Sequence, residues 1–208
     1  MNNLINKLFI AARAFKISLL ASKTAATLKK MNERDERLKL ATYVGGEVSL
    51  DLGSGPNPKN PFKAPTLYGI DIVEQDRPNI FHIDLNLEKL PFADCSLDYI
   101  TAYDFLEHIP RMIYVPHARY PFIELMNEVS RVLKVGGIFY ASTPLYPFAE
   151  LFRDPTHQNF ITEETFSLYF SGPNWAKMYG YKGNLYLDFQ YIHEDFKLAI
   201  IMRKQDEL

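Results

Sequence analysis

The chain is short of several things, and each shortage removes a class of protein. Only one of its 208 residues is cysteine, Cys95. A disulfide framework and a cysteine-only zinc site are therefore excluded, and a reducing, cytoplasmic setting is expected. No run of about 18 or more apolar residues occurs, so no spanning helix is expected. Neither sign of charge dominates: 23 bases face 25 acids, for a net charge of −2. Such a balance argues against a nucleic-acid partner, which usually demands a broad positive surface. Aromatic residues are plentiful by contrast, with 15 Phe and 13 Tyr. A solvated, disordered coil does not have that composition. The length suits one sizeable core.

The charge is unevenly spread. Residues 1–32 hold Lys7, Arg13, Lys16, Lys23, Lys29 and Lys30 and no acid, leaving 17 bases against 25 acids in the rest. An export signal is excluded there. The longest apolar run is Leu8–Ala12, and such signals need about 7–15 uninterrupted apolar residues. Leu4, Leu8, Phe15 and Leu19 share one helical face. Two readings of that stripe stand: a helix packed on its own domain with its charges solvated, or a basic helix making peripheral contact with an anionic membrane. Residues 1–40 are read as a helical appendage or lid, and 41–208 as the main domain.

Short apolar runs follow from Val48. Val48–Leu52, Leu67–Asp71, Ile80–Asp84 and Leu97–Thr101 read as strands. Phe122–Leu133 has a helical period, stopped by Gly136-Gly137, and Ile138–Ser142 reads as a fifth strand. Alternation of strand and helix implies a mainly parallel α/β sheet. The last two runs, Leu185–Ile192 and Phe196–Met202, are separated by three residues. A connection that short joins antiparallel strands only. The sheet should therefore end in an antiparallel hairpin.

The segment Asp51-Leu52-Gly53-Ser54-Gly55-Pro56-Asn57-Pro58 leaves the first strand. Glycines there let the backbone turn tightly against a ligand. Asp71, at the end of the second strand, stands where open α/β sheets keep a carboxylate for adenosine ribose. The third glycine of a dinucleotide motif is missing, with Pro58 in its place, and an acid, Asp51, precedes the first. An acid there repels a pyrophosphate and favours a ligand carrying an ammonium group. A nicotinamide-dependent oxidoreductase is thereby disfavoured.

These features are joined by others in order. "LDLGSGPNP", "LYGIDI", "HIDLNLEKLPFADCSLDYI", "DFLEHI" and "RVLKVGGIFYASTP" span about residues 47–145. Together this segment resembles the class I S-adenosylmethionine (SAM)-dependent methyltransferases of small-molecule type. The resemblance implies a Rossmann-like, doubly wound, seven-stranded sheet of order 3-2-1-4-5-7-6, with SAM as cofactor. It implies that Asp51, Gly53, Ser54 and Gly55 line the methionine end of the cofactor. Asp71 would hold the ribose, Ile72 would touch the adenine, and Asp84 with Leu85 would cap its amine. Tyr103 and Asp104 would close the methionine side.

His108, after the fourth strand, and His157, after the fifth, are candidate catalytic residues, because imidazole accepts a proton near neutral pH. No histidine pair has metal-ligand spacing, so no metal is expected. The stretch from Pro110 to Phe122 is longer than the family pattern. Its Arg111, Tyr114, His117 and Arg119, with Tyr146 and Arg153, are candidate substrate contacts for a ring-bearing or anionic acceptor. The Asn/Asp-Pro-Pro-aromatic motif of amino-group methyltransferases is absent; Ala102-Tyr103-Asp104-Phe105 stands instead. The sequence reading is thus methyl transfer to an oxygen, or a nitrogen, of a small molecule or glycan precursor. The rival is a SAM-binding or inactive module of the same fold, acting at a membrane or protein partner.

Deletion of residues 1–32 should leave the domain folded. If the segment is a lid, the SAM dissociation constant should rise; if it is an anchor, sedimentation with anionic vesicles should be lost, as it is in part with added salt. A truncated protein that aggregates or melts far earlier would place the segment in the core.

Overall fold

The computed structural model of the chain describes residues 48–193 and 195–206. The basic segment 1–32 and the appendage 1–40 lie outside the described residues. Four strands come first: β1 (Val48–Leu52), β2 (Thr66–Asp71), β3 (Ile80–His82) and β4 (Leu97–Tyr103). A small ladder of β5 (Ile113–Tyr114) and β6 (Ala118–Arg119) precedes helix α1 (Pro121–Val132) and strand β7 (Leu133–Pro144). Short helices α2 (Glu150–Arg153) and α3 (Thr165–Tyr169) and a 3-10 turn at Trp175–Tyr179 lead to β8 (Leu185–Ile192) and β9 (Lys197–Lys204).

The seven-stranded sheet has the order β3-β2-β1-β4-β7-β9-β8. Strands β5 and β6 form a separate sheet; numbered without them, the order is the expected 3-2-1-4-5-7-6. The ladders from β3 to β7 are parallel, and β9 runs antiparallel to both β7 and β8. Side chains alternate across it. Ile100, Ala102, Phe139, Ala141, Leu198 and Ile200 join one core, while Tyr99, Ile138, Tyr140, Ala199 and Ile201 join a smaller one on the opposite face. This is the period of two that pleated strands impose.

Helix α1 covers the larger core with Phe122, Leu125, Met126, Val129 and Val132. Pro121 begins it, where its missing N–H costs nothing. Arg131 ties the helix to the β3–β4 connection, donating to the carbonyls of Leu90 (3.0 Å) and Phe92 (2.8 Å) and to Asp94 (2.7 Å). Glu128 accepts from the Leu90 N–H at 3.1 Å. The segment after Asp84 is thereby fixed in place.

Two expectations need correction. Strand β7 starts at Leu133, directly after α1, and Gly136-Gly137 lies within it rather than ending the helix. Leu133 pairs with Leu97, and Lys134 reaches both oxygens of Asp98 at 2.9 Å, so the chain is drawn into the ladder five residues early. The connections between β1, β2, β3 and β4 also hold no α-helix among the described residues. Between β1 and β2 stand Pro56, Pro58, Pro61 and Pro65. Each lacks a donor N–H and has a fixed φ, which a helix interior does not tolerate.

Phe139 is fully buried in the central part of the sheet. Phe139→Ala should cost about 3–5 kcal/mol in urea unfolding, whereas Val135→Ala, at an exposed position, should stay within about 0.5 kcal/mol.

Candidate functional site

In an open parallel sheet, ligands bind beyond the carboxyl ends of the strands, at the point where the strand order reverses. Here that point lies between β1 and β4. Asp51 of β1 and Thr101 of β4 are register partners. The Thr101 hydroxyl donates to Asp51 Oδ1 at 2.6 Å, and the Lys59 N–H donates to Oδ2 at 2.7 Å. Asp51 is only 2% exposed, and burial raises its pKa. The charge argument made from the sequence supposed a carboxylate facing the ligand. The structure instead engages both of its oxygens inside the protein, where they pin the 53–59 loop.

Gly53 (φ +64°) and Gly55 (φ +53°) turn that loop. A Cβ built on Gly53 would stand 2.5 Å from the Phe105 ring, whereas one on Gly55 meets no atom within 4 Å. Gly53 thus makes room for Phe105, and Gly55 faces open space. Gly69 of β2 is a third necessary glycine that sequence reasoning missed, since a Cβ there would meet Ser54 Oγ at 2.4 Å and Pro58 at 2.8 Å. The Ser54 N–H also donates to the Ile70 carbonyl at 3.0 Å.

Asp71 bridges the two loops: Oδ2 accepts from the Gly55 N–H at 2.7 Å and Oδ1 from the Val73 N–H at 2.8 Å. A carboxylate oxygen has two lone pairs, so each keeps one for a vicinal diol. Ile72 and Val73 follow as exposed apolar side chains, 58% and 62% accessible. A diol acceptor beside an apolar platform fits the adenosine part of SAM. Asp84 opens a turn, with Oδ1 taking the Asn86 N–H at 3.0 Å, while the Leu85 side chain is buried in the core. Tyr103 lies under Lys59 Nζ, 4.0 Å from its ring centre, and burial pushes its phenol well above the ordinary range. Asp104 is exposed and accepts from Lys197 Nζ at 2.8 Å.

Sequence reasoning named His108 and His157, and the fold brings them together. Their ring centres are 4.8 Å apart, edge to face. It also adds Glu107, which sequence reasoning missed. Glu107 sits in the 3-10 turn Leu106–His108 and is fully buried. Its Oε2 accepts from the Thr143 hydroxyl at 2.9 Å, and its Oε1 lies 4.0 Å from His157 Nε2. Burial raises the carboxyl pKa to about 7, and burial with the neighbouring His157 lowers that of His108. One ligating atom from each of the three lies within 4.8 Å of the others. The sequence spacing implies no metal-ligand grouping, because the 48 residues between the two histidines conceal this one. Apolar Leu106 before the acid and a histidine after it were the only available signal.

The turn is clamped from the other side. Gln158 and Asn159 both donate their N–H to the Glu107 carbonyl, at 2.8 and 2.9 Å, and Asn159 Nδ2 donates to that of Leu106 at 3.2 Å. Asn159 also accepts from Arg111 Nε at 3.1 Å. Both residues line a cavity of about 510 Å³, whose other walls include Tyr120, Phe122, Leu168 and Trp175. This cavity holds none of the expected cofactor residues; it adjoins the histidine side of the site. Of the expected substrate contacts, Arg111 alone lines it. Arg119 is engaged by Glu124 and Arg153 by Glu150, Tyr114 and His117 are exposed in and beside the β5–β6 ladder, and Tyr146 packs edge-on against Phe152.

Residues 50–141 match a family described as a methyltransferase domain. Solved structures of similar fold include a putative methyltransferase of Haloferax volcanii in complex with the Trm112 methyltransferase activator (14% identity, TM-score 0.56, covering 88% of this chain and 95% of that one). Another is a SAM-dependent methyltransferase of Archaeoglobus fulgidus (17%, 0.54, 84% and 94%), and a third is from Methanosarcina mazei (16%, 0.53, 81% and 97%). No curated protein matches the sequence. Residues 50–141 thus carry a methyltransferase domain, on a fold shared with solved SAM-dependent methyltransferases. The domain is that of a methyltransferase enzyme, and a cofactor of the SAM kind fits the Asp71 side of the site.

Gly53→Ala should destabilise the fold by about 1–3 kcal/mol, through positive φ and collision with Phe105. Gly55→Ala, with the φ strain alone, should cost less. Urea unfolding of the two variants checks the order, and equal losses would remove Phe105 from the argument.

Proposed function

We propose that the enzyme methylates an oxygen of a small molecule or glycan precursor carrying a ring or another apolar part. The observation that supports this most is the meeting of Glu107, His108 and His157 beside Asn159, which bonds the Leu106–Glu107 backbone and lines the apolar cavity. When bound, SAM supplies an electrophilic methyl on a sulfonium. Asp71 takes the ribose hydroxyls, Ile72 and Val73 support the adenine, and Asp84, with Leu85 beside it, accepts from the adenine amine. The Gly53–Gly55 turn, held by Asp51, follows the methionine part, and Tyr103 and Asp104 close that side.

The acceptor enters the cavity through its apolar part, with Arg111 and Asn159 at the polar rim. Its hydroxyl then faces the two histidines. The hydroxyl proton would depart on the side of the histidine–glutamate group as the methyl is taken up. Alignment in a dry site supplies most of the rate, and assistance to the proton supplies the rest. A cytoplasmic setting suits the free, exposed Cys95. No helix of the described residues is long and apolar enough to cross a membrane.

Asp71→Ala should weaken SAM binding about 10–100-fold, which corresponds to about 1–3 kcal/mol for a charge-assisted pair of hydrogen bonds. Calorimetry showing unchanged affinity would remove Asp71 from the site. The function itself is tested by supplying methyl-labelled SAM with panels of phenols, sugars and amines. Label on an oxygen, with release of S-adenosylhomocysteine, is the expected result. Label confined to amines would overturn the oxygen assignment.

A further inference from the structure

Glu107, His108 and His157 do more than lie close together: one ligating atom of each lies within 4.8 Å of the others. His157 Nδ1 is 2.8 Å from the Leu151 carbonyl, which can only accept, so Nδ1 carries the hydrogen. Its Nε2 is then a bare lone pair, 4.0 Å from Glu107 Oε1. His108 Nδ1 is 3.0 Å from the Thr156 hydroxyl. That hydroxyl spends its one proton on Asp154 Oδ1 at 2.7 Å, so His108 Nδ1 is again the donor and Nε2 is left bare. Glu107 Oε1 is buried and has no hydrogen-bond partner among the described residues. A buried carboxylate oxygen without a donor is costly. Neither neutral histidine can supply the donor, because each has placed its proton elsewhere.

Two imidazole nitrogens beside a buried carboxyl oxygen that has no hydrogen-bond partner call for a cation. We propose that Glu107, His108 and His157 bind one divalent transition-metal ion, with open coordination positions toward the acceptor cavity. The proposal rests on the methyl-transfer reading above only for the use made of the ion. Two nitrogens and one oxygen suit manganese, iron, cobalt or zinc, whereas magnesium prefers oxygen alone. The ligand atoms, within 4.8 Å of one another, must close to about 3–3.5 Å around bonds of about 2.0–2.2 Å. His108 is only half-buried, so its ring has room to turn. The outer bonds to Leu151 and to Thr156–Asp154 are the kind that orient metal-bound histidines.

The ion would name the acceptor atom. A hydroxyl on a divalent cation ionises near neutral pH and still has lone pairs for attack. Its proton goes to water, its oxygen takes the methyl carbon, and the C–S bond breaks. An amine bound the same way would have its only lone pair occupied by the metal. The acceptor is therefore a hydroxyl, phenol or enol.

The test uses untagged, full-length protein stripped with EDTA and titrated with Co2+, whose visible bands report nitrogen ligands. One ion per chain is expected. Affinity should fall by about 10–100-fold or more in His108→Asn, His157→Asn and Glu107→Gln. Since Glu107 is buried, the half-exposed His108→Asn keeps the test decisive if Glu107→Gln fails to fold. SAM affinity, measured on the same stripped protein by calorimetry, separates the two ideas. SAM binding without cobalt uptake would overturn the metal site and leave methyl transfer standing; cobalt uptake without SAM binding would do the reverse. Cobalt affinity unchanged in both histidine variants would also overturn the site.

Discussion

The buried carboxylate of Asp51 ties the sheet to the glycine-bearing 53–59 loop. One oxygen takes the hydroxyl of Thr101 on β4 and the other takes the backbone of Lys59 at the far end of the loop. Strand spacing, loop path and the position of Gly53 against Phe105 all follow from that bridge. A group so buried is costly to ionise, and two short bonds offset part of that cost. Asp71 repeats the arrangement one strand over, with its bonds to Gly55 and Val73. The two acids thus shape opposite ends of one cradle, Asp51 from within and Asp71 from its open side.

A second clamp organises the acceptor side. In the 3-10 turn Leu106–His108 the Glu107 carbonyl accepts from the Gln158 and Asn159 N–H groups, and that of Leu106 from Asn159 Nδ2 as well as from Ile109. That pairing sets His157 against Glu107 and brings Asn159 to the wall of the cavity. Thr143, near the end of β7, supports Glu107 from beneath. Chemistry and cavity therefore share one backbone segment. A shift of that segment would move His157 and the Asn159 wall of the cavity together.

Much of the fold was legible in the sequence because pleated strands impose a period of two. Val48–Leu52 and Leu97–Tyr103 announce themselves by buried branched and aromatic residues, and three residues between the last two runs permitted only a hairpin. The start of β7 was not legible. Gly136-Gly137 reads locally as a helix stop, and only the ladder to Leu97 and the Asp98–Lys134 pair carry the strand back to Leu133. The missing crossover helices could have been read from four prolines between β1 and β2.

At the site, the sequence alone determined which residues stand at the strand ends: Asp51, the two loop glycines, Asp71, Tyr103 and Asp104. Strand-end position follows from short-range pattern, which is local. Tertiary structure decided what each of them faces. It turned Asp51 inward, aimed Gly53 at Phe105 rather than at open space, and dispersed most of the expected substrate contacts. It also joined Glu107 and His108 to His157 across the 48 residues that follow His108. Contacts of that kind depend on the meeting of surfaces and on where each proton is spent, and neither is written in the order of residues along one chain.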